Sequence, residues 1–88
     1  MLLTWKAPVT SGIAGYHVYR ANASGGPYDL IGLSWSPVFE DWVSPRRGQT
    51  DYYVVTAYDQ PGVQSVNSVE ARAAPWEWQR VFLPVVLK

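Results

Sequence analysis

Cysteine is missing from all 88 residues. That absence excludes a disulfide framework and any thiolate zinc site. Histidine occurs once, at His17, which excludes most His-rich metal and relay sites. Charge is scarce and evenly split: seven Lys+Arg face seven Asp+Glu, together 16% of the chain. Without a basic surplus to displace counterions from phosphates, no nucleic-acid partner is expected. No apolar run is long enough to span a bilayer, so no membrane span is expected. The opening Met1-Leu2-Leu3-Thr4-Trp5-Lys6 has neither the basic n-region nor the long apolar h-region of a secretory signal. A helical period is lacking too. Apolar positions do not recur every 3.6 residues, and β-branched or aromatic residues outnumber strong helix formers in every run.

What is present is aromatic: five Trp, six Tyr and two Phe in a chain that is 48% hydrophobic. That is enough apolar surface to repay ordering. The length allows one domain, which buries only about 60–65% of the surface its unfolded chain exposes. Large rings, each burying about 150–250 Å², suit a core that has no covalent staple.

Strand signals recur at a spacing of about 8–12 residues, the pattern of an all-β sandwich or barrel. Leu2 to Lys6, Ile13 to Arg20, Tyr28 to Leu33, Val38 to Trp42, Thr50 to Tyr58 and Ser65 to Ala73 read as six strands. Asn22 to Pro27 and Asp59 to Gly62 are turns by composition. Alternation places Met1, Leu3 and Trp5, then Tyr16 and Val18, then Tyr53, Val55 and Ala57 on inward faces. His17 and Tyr19, with Tyr52, Val54, Thr56 and Tyr58, face outward. Composition shifts after Pro75: residues 76–88 form an apolar tail ending Val81-Phe82-Leu83-Pro84-Val85-Val86-Leu87-Lys88.

These residues resemble a fibronectin type III domain of the bacterial extracellular type. Leu3-Thr4-Trp5-Lys6-Ala7-Pro8 is similar to strand B with its core tryptophan. Ile13 to Arg20 resembles strand C, and Ser24-Gly25-Gly26-Pro27-Tyr28 the turn after it. Phe39-Glu40-Asp41 is similar to strand E, Tyr52 to Asp59 to strand F, and Ser65 to Pro75 to strand G with its closing proline. The resemblance implies an immunoglobulin-like Greek-key β-sandwich over residues 1–75, three strands facing four.

Three departures stand out. Strand A, which would pair along strand B, has no counterpart before Leu2, so strand B is expected to be an exposed edge. The position of the family's corner tyrosine falls on Asp51, leaving either a weaker corner or a substitute in Tyr52 or Tyr53. The apolar tail lies beyond the family's end. It could fold back over the edge left by strand A, where Pro84 would fit an edge position. Alternatively, strand A lies upstream in a longer protein, or the tail exchanges between two chains to give a dimer in place of a monomer.

No constellation of catalytic residues emerges. His17 reads as a surface strand residue beside Tyr19. Glu40 and Asp41, adjacent on a strand, point to opposite faces and cannot form a glycosidase pair. Asp59 suits a turn cap. No Asp-x-Asp-x-Asp-Gly run exists for calcium, no Gly-x-Ser-x-Gly elbow for a nucleophile, and no Gly-Lys-Ser/Thr follows Ser24-Gly25-Gly26. Arg46-Arg47 reads as a solvated loop pair. Asn22-Ala23-Ser24 fits a glycosylation acceptor by pattern. At least two of Trp35, Trp42, Trp76 and Trp78 are expected in the core. The candidate ligand face is Tyr19, Tyr52 and Tyr58, outward on strands C and F, where exposed rings can stack on sugars or anchor a protein. The turn Asp59 to Gln64 carries no Arg-Gly-Asp.

The expected function is thus a non-catalytic module, without metal or cofactor. It would act as a structural spacer or protein-interaction domain of a secreted or cell-surface bacterial protein. The alternative is a carbohydrate- or protein-binding module using the outward tyrosines. Expected partners are neighbouring domains, another protein or a polysaccharide. The extracellular placement is what the resemblance implies.

Overall fold

A computed structural model describes residues 2–6, 12–42, 49–62, 64, 68 and 70–73, and the backbone of 80–83. Among the described residues seven strands follow in order: β1 Leu2–Trp5, β2 Ile13–Ala21, β3 Asp29–Ser34, β4 Val38–Glu40, β5 Asp51–Asp59, β6 Ala71–Ala73 and β7 Arg80–Leu83. They form a three-stranded sheet, β4-β1-β7, and a four-stranded sheet, β3-β2-β5-β6. This is an all-β, immunoglobulin-like sandwich. Met1, the loop 43–48 with Arg46-Arg47, and Trp76 and Trp78 lie outside the described residues.

β2 and β5 form the backbone of the fold. Each runs nine residues, and they pair antiparallel from Ile13↔Asp59 to Ala21↔Tyr52. β3 pairs antiparallel with β2, with a register shift between Val18 and Tyr19. β6 pairs with β5 over Asp51↔Ala73 to Tyr53↔Ala71. Ser68 prolongs that pairing beyond the strand. Its amide donates to the Val55 carbonyl at 2.9 Å, and its hydroxyl accepts from the Val55 amide at 2.8 Å, in the role of a ladder carbonyl.

In the smaller sheet β1 is a central strand. β4 lies antiparallel on one side, and β7 runs parallel on the other, with Leu2↔Arg80 and Trp5↔Leu83. The expected exposed edge along strand B is therefore corrected, because β7 takes up the ladder groups of β1. It lies on the side where the resemblance places strand A.

The core follows the alternation. Leu3, Val18, Tyr53 and Val55 are fully buried, joined by Trp5, Tyr16, Ala57, Ala71 and Ala73. Each fully buried large aliphatic contributes about 1.5–3 kcal/mol. The Trp5 and Tyr16 rings meet edge to face, centroids 5.2 Å apart and planes at 72°. Two glycines make close packing possible. A methyl on Gly32 would collide with the Phe39 ring, and one on Gly15 with the Tyr58 hydroxyl.

The outward assignment needs one correction. Val54 and Thr56 stand on the outer face, yet are only 2% and 3% exposed. Tyr19 stands opposite Val54, and Gln64 bonds to Thr56, so this face is covered by its own larger side chains.

Candidate functional site

The outer face of the four-stranded sheet carries the predicted ligand residues. Register places them on successive rungs of β2 and β5: Gly15 with Tyr58, His17 with Thr56, Tyr19 with Val54, and Ala21 with Tyr52. All three tyrosines are half-buried. Tyr58 lies over Gly15, and its ring centroid is 4.5 Å from that of His17. Tyr19 is 6.4 Å from His17 on the other side. Tyr52 stands one rung beyond Val54 and makes no ring contact among the described residues. The structure therefore brings Tyr19 and Tyr58 together through His17 and sets Tyr52 apart.

Polar groups fix this face. Gln64 Oε1 accepts from the Tyr19 hydroxyl at 3.0 Å and from Thr56 Oγ1 at 2.8 Å. Backbone pairing of Gln64 with Tyr58 brings it there. His17 Nδ1 is buried without a hydrogen-bond partner among the described residues. Beside the rings, Leu33 stands opposite His17 and Leu30 opposite Tyr19, each 56% exposed. The face can offer apolar contact and hydrogen bonds. Among the described residues it holds no pair of groups arranged for proton transfer or nucleophilic attack.

Two carboxylate clusters escaped the sequence reading. Between the sheets, Asp41 accepts from Arg20 Nη1 with both oxygens, at 2.9 and 2.8 Å, and from the Tyr53 hydroxyl at 2.7 Å. Burial alone would lower the Arg20 pKa. The hydrogen bond and charge of Asp41 outweigh it and hold the guanidinium above its ordinary value. At the position of the corner tyrosine, Asp51 is fully buried.

Outside the four-stranded sheet, Glu70 gathers the turn after β2. It accepts from the Ser24 hydroxyl at 2.7 Å, from the Gly25 amide at 2.8 Å, and from the Tyr28 hydroxyl. The bonds from Ser24, Tyr28 and Gly25 hold its carboxyl below the ordinary value. Burial, then the Glu70 carboxylate, push the Tyr28 hydroxyl up. The acceptor pattern at Asn22 to Ser24 thus includes a serine already bound to Glu70. No local sequence signal marks either cluster, because the partners are 21 and 46 residues apart.

Asp59 accepts from the Gly62 amide through its carbonyl at 2.9 Å, closing the turn after β5. Trp35 and Trp42 are 83% and 87% exposed, so neither is in the core. Among the described residues, no three His, Cys, Asp or Glu side chains converge as metal ligands, and no helix is long and apolar enough to cross a membrane.

No family model and no curated protein matches the sequence. Among solved structures, the chain is similar to a Fn3-like protein from Clostridium thermocellum. The TM-score is 0.62 and the identity 25%, over 100% of this chain and 92% of that one. Three strands facing four, the aromatic core of β1 and β2, and this likeness along the whole length agree: the chain is a fibronectin type III-like domain.

Proposed function

We propose that the chain is a non-catalytic spacer and interaction module of a secreted or cell-surface bacterial protein. The observation that carries the spacer role is the parallel pairing of β1 with β7. Leu2, where β1 starts, and Leu83, where β7 stops, lie at opposite ends of the paired strands, about 10 Å apart along them. Segments joined there would leave in opposite directions along a sandwich of 39 × 23 × 18 Å. Asp41 and Glu70, the acids with the most hydrogen bonds to named partners, serve the fold, which supports a non-catalytic reading. The interaction role falls on the outer face, where Leu30 and Leu33 stand beside Tyr19 and His17, with Tyr52 and Tyr58 on the next strand. Exposed aliphatics beside half-buried rings suit a protein partner.

The test places the chain between two fluorescent proteins and measures energy transfer during heating. A narrow separation that persists up to the unfolding transition is the expected result. A broad distribution at temperatures well below the transition would overturn the spacer role.

A further inference from the structure

A second surface feature lies away from the tyrosine face. Where β4 ends, a cavity of about 300 Å³ opens between Arg20, Ile31, Phe39, Glu40, Asp41 and Trp42. Ile31 and Phe39 pack against the core and form its floor. Trp42 stands at the rim with its indole 87% exposed. The cavity is at the small end of the ~300–1,000 Å³ range of ligand sites, which suits one ring rather than a dinucleotide.

The polar wall is fixed before any ligand arrives. Asp41 is held by Arg20 and Tyr53, so neither carboxylate nor guanidinium needs to be ordered on binding. Arg20 uses only Nη1 for Asp41, and its Nε and Nη2 make no hydrogen bond to any described residue. The Arg20 side chain is still 18% exposed.

Charge narrows the ligand class. The Arg20 guanidinium is matched by the Asp41 carboxylate, so this wall offers a phosphate or a uronic acid no surplus positive charge. A cation would meet the Arg20 guanidinium in the wall. What remains is a neutral group with hydroxyls that both donate and accept, and with a C–H face that packs on an indole. We propose that this cavity binds one pyranose ring of a neutral polysaccharide, with Trp42 as the stacking platform and Arg20 as donor.

The experiment follows the Trp42 indole N–H signal by NMR in the full chain. Cellohexaose and mannohexaose are titrated, with oligogalacturonate and hexalysine as charged comparators. A saturable shift with a neutral oligomer is expected, at a Kd of roughly millimolar. Trp42→Ala should weaken it at least ~10-fold while leaving the melting temperature unchanged, because the ring is exposed. Tyr19→Ala and Tyr58→Ala should leave it within about twofold. No saturable shift up to about 10 mM, tighter binding of either charged comparator, or undiminished binding by Trp42→Ala would each overturn the proposal. So would a loss of binding in the tyrosine variants that matches the loss in Trp42→Ala.

Discussion

Asp41 and Glu70 do the same job on opposite sides of one sheet. Each carboxylate accepts hydrogen bonds from groups distant in the chain. Asp41 lies between the sheets, 4% exposed, and two of its bonds come from one charged guanidinium. Glu70 lies in front of β6, half-exposed, and all its donors are neutral and belong to one turn. What differs is the surrounding medium. Between the sheets, losing the carboxylate strands the fully buried Tyr53 hydroxyl and leaves the largely buried Arg20 cation without its partner. At the surface, water replaces what is lost. The inner cluster should therefore govern stability and the outer one mainly the order of a turn.

The widest separation should come from deleting residues 76–88. β7 supports β1, and β1 supports β4, which leads directly into Asp41. The outer cluster rests instead on the four-stranded sheet. Deletion should lower the melting temperature steeply and blur the NMR signals of Tyr53 before those of Tyr28. Equal loss at both would break the comparison.

Next comes Asp41→Ala, expected to cost about 3 kcal/mol, since it leaves Arg20 charged without its partner. At this chain length that lowers the melting temperature by about 12–24 °C. Replacing the whole cluster by Arg20→Met, Asp41→Leu and Tyr53→Phe should cost less than half as much, because no polar group is then stranded. Thermal and urea unfolding of the two variants decide the point.

The smallest effect belongs to Glu70→Gln, below about 1 kcal/mol. It should be pH-dependent. The folded carboxyl titrates below its ordinary value of 4.5, so its contribution is complete above that value. It disappears as pH falls through the folded value, and the two stability curves should converge there. Curves that stay parallel down to acid unfolding would show that the Glu70 charge contributes nothing.

Much of the fold was legible because β-strand alternation is local. Leu3 and Trp5, Tyr16 and Val18, and Tyr53, Val55 and Ala57 point inward in the structure as a period of two requires. The placement of Tyr19, Tyr52 and Tyr58 on one outer face was legible for the same reason. That Tyr19 and Tyr58 converge on His17 while Tyr52 stands apart was not, since ring contacts depend on which strands pair and in what register. Trp35 and Trp42 are exposed, while Trp76 and Trp78, the other two core candidates, lie outside the described residues. Tryptophan favours burial on average, but Trp35 and Trp42 sit where the chain leaves the strands, with no opposite layer to receive them.

Sequence by itself determined the class of the domain: all-β, a ring-rich core, and an inventory of groups too sparse for a thiolate or multi-histidine site. Tertiary structure alone decided where that inventory does its work. It set Arg20 against Asp41 and Tyr53, drew the Ser24 turn onto Glu70, and laid β7 beside β1. The reason is physical. Which face a side chain takes is fixed by the bonds of its own strand, whereas which distant group it meets is fixed by how the layers close.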